Sequence, residues 1–169
     1  MKTFILLCAV PGSGKSSWAE QYRLTHKNVY VVSSDGLRKE LTGEYQNFTR
    51  EVDVWRIFLE RCNSYKDLAD DVTVIADSTN CSNIHRQLYG EKVVGYDKKI
   101  LLEIKKPLEV ALEQNQHRNP NRIVPPDVIK RMYANYEEPT KEVLALYDEH
   151  IVISNFDITK VSEEFHYKP

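Results

Sequence analysis

The stretch AVPGSGKSSW, residues 9–18, decides how the rest of the sequence is interpreted. It follows the apolar run TFILLCAV, which predicts a buried β-strand, and residues 15 to about 26 predict a helix. Gly12 and Gly14 permit backbone angles that point successive N–H groups at one spot, and the helix start adds its positive end. Strand, glycine-rich loop and helix in this order predict a phosphate-binding loop of the Walker A pattern.

Two side chains of this loop carry recognised chemistry. Lys15 is expected to reach the β- and γ-phosphates of a nucleoside triphosphate, and the Ser16 hydroxyl is expected to ligate Mg²⁺. ATP or another nucleoside triphosphate, with Mg²⁺, is therefore the expected cofactor. A glycine-rich turn with a chance lysine is the alternative, and the strand and helix around the loop argue against it. The predicted nucleotide-binding residues here are Gly12, Ser13, Gly14, Lys15, Ser16 and Ser17.

Outward from the loop, short apolar runs alternate with longer amphipathic segments. VYVVSS, VTVIAD, KKILLEI and HIVISN predict four more strands. Long helices are predicted over residues 49–69 and from Pro126 to about Tyr147. The pattern predicts an α/β fold with a mostly parallel five-stranded sheet covered by helices on both faces. Because such sheets bind ligands at the C-terminal ends of their strands, polar residues at those ends are the candidates for a site.

The second strand ends in SSDGLR, which contains Asp35 and Arg38. A carboxylate at this edge could accept the proton of an attacking hydroxyl group, as phosphoryl transfer to an alcohol requires. Arg38, one helical turn further on, could grip an anionic group of the acceptor with its planar fork. Aspartate is also a common helix N-cap, so the residues alone leave both interpretations of Asp35 open.

The third strand ends in VIADSTN, with Asp77 at its last position. This is similar to a Walker B position, where a carboxylate holds the water shell of Mg²⁺. Asp77 could equally cap the next helix or order the phosphate loop. Thr79 and Asn80 are predicted to line the acceptor cleft.

The segment HRNPNRIVP is too rich in proline and asparagine for regular structure and predicts a loop. It carries Arg118 and Arg122, and cations that close over the developing charge favour phosphoryl transfer. We therefore predict an arginine-bearing lid over about residues 117–126, with two solvated loop arginines as the alternative.

Four motifs together resemble the P-loop polynucleotide 5′-kinase family: PGSGKSSW, SSDGLR, ADSTN and RNPNRIVPPDVIKRMY. They fall in the family's order and span about residues 2–135. The resemblance implies one P-loop kinase domain over residues 1–169, a three-layer sandwich with a lid.

Roles for single residues follow from the same resemblance. Asp35 would be the general base for the 5′-hydroxyl group, and Arg38 would contact the 3′-phosphate of the acceptor's first nucleotide. Arg118 and Arg122 would be lid arginines, with Arg122 on the γ-phosphate. Lys15 and Ser16 would serve the donor phosphate and the metal.

The net charge of the chain limits how much of a nucleic acid it is expected to contact. The chain has 25 acidic and 23 basic residues, a net charge of −2, so an extended phosphate track is not expected. The expected partner is the 5′-hydroxyl end of DNA or RNA, held locally.

The N-terminal apolar run is short for a signal peptide, and no run approaches the roughly 18 apolar residues of a membrane span. These two features predict a cytoplasmic protein.

Two other functions fit the same motifs. A kinase of a small alcohol, such as a nucleoside, sugar or antibiotic, would use the same loop, Asp35 and lid. A nucleotide-dependent switch or ATPase subunit would need the loop but not Asp35 or Arg38.

Overall fold

The computed structural model describes residues 1–154, and the acidic segment from residue 155 onward lies outside the described residues. Within this part the strands and helices alternate along the chain. The strands are β1 Lys2–Cys8, β2 Val29–Ser33, β3 Val72–Asp77, β4 Lys98–Ile104 and β5 Glu149–Ile153. The helices are α1 Lys15–Thr25, α2 Ser34–Thr42, α3 Glu51–Ser64, α4 Asn83–Lys92, α5 Leu108–Gln116, α6 Pro126–Ala134 and α7 Lys141–Leu144.

The strands form one sheet in the order β2-β3-β1-β4-β5, and every neighbouring pair is parallel. This confirms the predicted five-stranded parallel sheet. β1, which leads into the phosphate loop, lies at the centre and pairs with β3 on one side and β4 on the other. Ser33 at the end of β2 is in register with Asp77 at the end of β3. The sheet order therefore brings the candidate residues of three strand ends to one edge.

Helices cover both faces of the sheet. Successive residues of β1 point to opposite sides of the sheet and so pack against different helices. Leu6 belongs to a buried cluster with Phe58 of α3, whereas Leu7 belongs to a second cluster with Trp18 of α1. All four side chains are almost completely buried. This gives the predicted layers of helix, sheet and helix.

The long helix predicted from Pro126 to Tyr147 is wrong. α6 ends at Ala134 and α7 begins at Lys141. Pro139 lies between them, and proline in a helix interior removes a backbone hydrogen bond and clashes with the preceding turn. The Glu137 N–H also donates to the Cys81 carbonyl at 3.0 Å, which ties this connection to the loop after β3.

The helix predicted over residues 49–69 is shorter than expected. α3 covers Glu51–Ser64 and is followed by a 3₁₀ turn over Tyr65–Leu68. A second 3₁₀ turn, Pro120–Arg122, lies inside the segment predicted to be a loop. Among residues 1–154, no helix is both long enough and apolar enough to cross a bilayer.

Gly12 is required by its packing as well as by its backbone angle. Its φ is +86°, and a Cβ at this position would lie 2.2 Å from the Ala111 carbonyl oxygen of α5. Gly43 has nearly the same φ, +87°, with no atom within 4 Å of a Cβ. A substitution at Gly43 would therefore cause backbone strain alone, whereas one at Gly12 would cause strain and steric overlap.

We expect Gly43→Ala to lower the free energy of unfolding by about 1 kcal/mol, the cost of a left-handed alanine. Gly12→Ala should lower it by about 3 kcal/mol or more, because overlap with α5 is added to the strain. Urea denaturation of both variants beside the wild type measures the difference. Equal losses in the two variants would contradict the tight packing of the loop against α5.

Candidate active site

The phosphate loop ends in a helix start with unused donors. Gly14 is the N-cap of α1 with φ +92°, and the first intrahelical bond runs from the Trp18 N–H to the Gly14 carbonyl at 2.9 Å. Within the described residues, the N–H groups of Lys15, Ser16 and Ser17 therefore have no acceptor. No acidic residue occupies the first turn. An uncompensated helix N-terminus with free N–H groups binds anions such as phosphate.

Ser13 takes a different orientation from its neighbours. It is fully buried, its N–H donates to the Val10 carbonyl at 3.3 Å, and its Oγ has no hydrogen-bond partner among the described residues. A small cleft of about 60 Å³ lies on the open side of the loop, lined by Gly12, Gly14, Lys15, Ser16, Ser17, Gln114 and Arg118. Ser13 does not line this cleft, whereas the other five predicted loop residues do.

Asp77 joins the two reactive side chains of the loop. Its Oδ1 lies 3.1 Å from Lys15 Nζ, and its Oδ2 accepts a hydrogen bond from Ser16 Oγ at 2.8 Å. The carboxyl side chain is only 4% exposed. The helix-cap alternative for Asp77 is wrong, because the N-cap of α4 is Ser82. The contacts of Asp77 with Lys15 and Ser16 fit the alternative in which Asp77 orders the phosphate loop.

The donor set at this point fits Mg²⁺. Ser16 Oγ and the Asp77 carboxylate are hard oxygen atoms next to the loop, and Mg²⁺ is commonly held by one or two such groups together with phosphates and water. Among residues 1–154, no cluster of three or more His, Cys, Asp or Glu side chains could hold a metal alone. An ion here would therefore depend on the phosphates for most of its ligands.

The loop after β3 is held by hydrogen bonds to the end of β1 and to α4. The Thr79 carbonyl accepts a bond from the Ala9 N–H at 2.8 Å, and the Asn80 amide donates to the Leu7 carbonyl at 2.8 Å. Arg86 of α4 is fully buried, and its Nε donates to the Asn80 carbonyl at 2.9 Å. The Asn80 amide nitrogen is thus occupied by backbone, while Thr79 lines the cavity described below.

Asp35 lies in the first turn of α2 but does not cap it. Ser33 is the N-cap, and its hydroxyl accepts from the Gly36 N–H at 3.0 Å, so the capping alternative for Asp35 is wrong. The carboxylate instead lies between two arginines. Oδ1 accepts from Arg38 Nη1 at 2.9 Å, and Oδ2 lies 3.6 Å from Arg122 Nη2.

Arg38 has a second carboxylate partner that the sequence did not indicate. Glu51, the first residue of α3, accepts from Arg38 Nε at 2.9 Å and from Nη2 at 2.7 Å. Its guanidinium carbon also lies over two aromatic rings, 4.7 Å from the Phe48 centroid and 5.6 Å from the Trp55 centroid. Arg38 is 8% exposed. Its orientation is therefore set by its carboxylate partners and by the packing of the two rings.

The predicted lid segment, residues 117–126, is held toward its C-terminal end. Asn115 is buried, and its amide exchanges two hydrogen bonds with the backbone of Val124, at 2.7 and 3.0 Å. Gln46 Nε2 reaches across from the α2–α3 connection and donates to the Ile123 carbonyl at 2.6 Å. The Arg122 guanidinium lies 4.9 Å from the Tyr45 ring, which belongs to the same connection.

The two lid arginines differ in their partners. Arg122 faces Asp35, and its Nε is buried without a hydrogen-bond partner among the described residues. Arg118 forms no ion pair in residues 1–154. Burial, and to a lesser degree the like charge of Arg122, lower the pKa of the Arg118 guanidinium. Both side chains retain unsatisfied capacity to bind an anion.

A second cavity of about 260 Å³ lies beside the phosphate cleft, and we call it the Asp35 cavity. Lys15 and Arg118 line both spaces. A phosphate seated on the loop would therefore face Asp35 across these two cations. Among the predicted site residues, those that line the Asp35 cavity are Lys15, Asp35, Arg38, Thr79, Arg118 and Arg122.

Sequence reasoning missed four residues that build the site. Glu51, Asn115, Gln46 and Arg86 each act on a partner that is distant in the chain or on the backbone of another segment. A polar residue buried in an apolar helix pattern would have been a signal only for Arg86 and Asn115.

The chain matches known proteins in sequence and in fold. Residues 4–139 match the profile of the AAA domain family. The gluconokinase from Sinorhizobium meliloti 1021 is similar with a TM-score of 0.62 and 20% identity, over 96% of this chain and 89% of that one. Kti12 from Chaetomium thermophilum, in complex with ADP-AlF3, has a TM-score of 0.65 and 17% identity over 96% and 95%.

A chain of the Pnkp1/Rnl/Hen1 RNA repair complex has a TM-score of 0.69 and 20% identity over 80% of this chain. The match spans 44% of that longer chain. At these low identities the TM-scores show a common fold alone, and the similar structures include a sugar kinase and an RNA kinase. With four-fifths of its length covered by the family profile, the chain belongs to the AAA domain family and has the nucleotide-binding α/β fold of the P-loop kinases.

Proposed function

We propose that this protein transfers the γ-phosphate of ATP to the 5′-hydroxyl end of DNA or RNA. The observation that carries the proposal is the shared wall of the two spaces: Lys15 and Arg118 line both the phosphate cleft and the Asp35 cavity. A donor phosphate on the loop and a hydroxyl beside Asp35 would meet at that wall.

In the proposed reaction the Asp35 carboxylate accepts the proton of the 5′-hydroxyl group. The hydroxyl oxygen forms the new bond to the γ-phosphorus, and the bond from that phosphorus to the β–γ bridging oxygen breaks, which releases ADP. Lys15 and the lid arginines offset the charge that spreads over the γ-phosphate oxygens. Ser16, with Asp77 behind it, would hold Mg²⁺, which would supply positive charge to stabilise the charge on the phosphates.

Arg122 is the lid residue best placed to change partners in this reaction. Its contact with Asp35 is long, 3.6 Å, and within residues 1–154 its Nε has no partner. Binding of a γ-phosphate would give it a doubly charged ligand. Asp35 would then keep Arg38 and expose its second oxygen to the acceptor hydroxyl.

Two features of the Asp35 cavity support a nucleotide as the acceptor. Arg38 gives a guanidinium for a phosphate group, and Phe48 and Trp55 give flat apolar surface beside it. Phe48 is 59% exposed, with Arg38 on one face of its ring. Aromatic side chains of this kind bind nucleobases by stacking without sequence preference. The net charge of −2 suits a grip on the strand end only.

A small alcohol is the second candidate acceptor. The supporting observation is that Arg38 already has Glu51 and Asp35 as partners, which offsets its charge toward a further anion. A cavity of about 260 Å³ also has room for a compact polyol. The catalytic part of the proposal is the same for both acceptors.

The test is transfer of labelled γ-phosphate from ATP with Mg²⁺ to a 5′-hydroxyl oligonucleotide, with a 5′-phosphorylated oligonucleotide as the blocked control. Asp35→Asn should lower kcat by about 10²–10⁴-fold, the usual contribution of a general base, with ATP binding retained. Asp71→Asn, an exposed acid away from the cavity, is the matched control.

Each result has a distinct meaning. Label on the oligonucleotide that is lost in Asp35→Asn supports the proposal. Label on a sugar or nucleoside but not on the oligonucleotide would show that the acceptor is a small alcohol and not a polynucleotide end. ATP binding without transfer to any alcohol would favour the nucleotide-dependent switch.

Stacking gives a separate prediction for the acceptor. Phe48→Ala should raise KM for the oligonucleotide about tenfold, because loss of one base–aromatic stack costs roughly 1–3 kcal/mol. Phe48→Tyr keeps the ring and should retain the wild-type KM, and KM for ATP should not change in either variant. Steady-state kinetics with each substrate varied in turn measure these values. An unchanged oligonucleotide KM in Phe48→Ala would exclude the stack.

A further inference from the structure

We infer that Glu51 is a positioning residue that turns Arg38 toward a phosphate group on the acceptor and keeps Asp35 available as the base. Nothing in the sequence pattern indicated Glu51, which lies 13 residues from Arg38 and begins the next helix. The inference rests on the proposed function, because it assigns a role in acceptor binding.

The hydrogen bonds of Arg38 leave two of its N–H donors unused. Arginine has five N–H donors in a fixed plane. Glu51 takes the Nε donor and one Nη2 donor, and Asp35 takes one Nη1 donor. Among the described residues, one donor on each terminal nitrogen is left. These two donors can bind oxygens of a phosphate group.

The guanidinium is also held by its neighbours. Its central carbon lies 4.7 Å from the Phe48 ring centroid and 5.6 Å from the Trp55 ring centroid. The Glu51 carboxylate binds two donors of one edge and so fixes the angle of the guanidinium within its plane. The two remaining donors are therefore held in one orientation beside Asp35.

Removal of Glu51 would change both partners. Asp35 would become the remaining carboxylate in contact with Arg38, which would then be free to form a second bond to it. That bond would take up a donor otherwise left for the phosphate and occupy the carboxylate that the proposed reaction needs. Loss of Glu51 should therefore weaken binding of a phosphate-bearing acceptor and also lower kcat, while binding of a plain nucleoside changes little.

The first experiment measures binding by isothermal titration in the presence of ADP, with adenosine 3′-monophosphate and adenosine as probes. Wild-type protein should bind the 3′-monophosphate more tightly than adenosine. Glu51→Ala should raise the Kd of the 3′-monophosphate at least about tenfold, because charge-assisted hydrogen bonds are lost or misdirected. Glu51→Gln, nearly the same shape, should show a smaller rise in the same direction.

The controls separate positioning from folding. Glu60→Gln removes an exposed acid of the same helix that pairs with Arg56, and it should bind both probes as the wild type does. Kd for ADP and the thermal midpoint should stay close to the wild-type values in Glu51→Gln, so that variant decides if Glu51→Ala does not fold. Arg38→Lys should behave like Glu51→Ala, because lysine cannot present two coplanar donors.

The outcomes also distinguish this inference from the proposed function. Equal or tighter binding of the 3′-monophosphate in both Glu51 variants would overturn it, and tighter binding would show that Glu51 competes with the phosphate. A wild type that binds the two probes equally would overturn it as well. If the expected pattern appears but no oligonucleotide is labelled, the inference stands and the polynucleotide acceptor fails. If Glu51→Gln labels the oligonucleotide with wild-type kcat and KM, the inference fails and the acceptor stands.

Discussion

The contact on which the site depends is the buried carboxylate of Asp77 between Lys15 and Ser16. A buried charge is tolerated only with a partner and hydrogen bonds, so Asp77 and Lys15 require one another before any ligand binds. This contact exists because β3 lies next to β1 in the sheet. The order of the strands is therefore a condition for the loop, and it also brings the end of β2 beside the end of β3.

At the Asp35 cavity, four side chains of alternating charge contact one another in succession. Glu51 contacts Arg38, Arg38 contacts Asp35, and Asp35 contacts Arg122. Arg38 and Asp35 each have two partners in this series, so each keeps one partner when the other contact is lost. The long contact between Asp35 and Arg122 is the one that a donor phosphate would replace. A site built in this way is ordered in advance, which lowers the cost of arranging it during the reaction.

Much of the fold and part of the site could be predicted, because their signals are local. The glycine spacing of the phosphate loop, the five apolar strands and the acids at the ends of β2 and β3 all lie within short windows. The predicted helix from Pro126 to about Tyr147 is wrong because it would run through Pro139, and proline interrupts a helix interior. Tertiary contacts of that connection, such as the bond from Glu137 to Cys81, were not visible in the pattern.

The sequence by itself determined that this protein has a phosphate loop on a parallel sheet, because backbone freedom at glycine and apolar periodicity are properties of neighbouring residues. Tertiary structure decided what the loop faces. The Asp35 carboxylate faces Arg38 and Arg122 and does not cap α2, because Ser33 is the cap. Arg38 has its direction because α3 begins beside it with Glu51. These outcomes depend on distances between segments far apart in the chain, and only the packing of the helices on the sheet sets those distances.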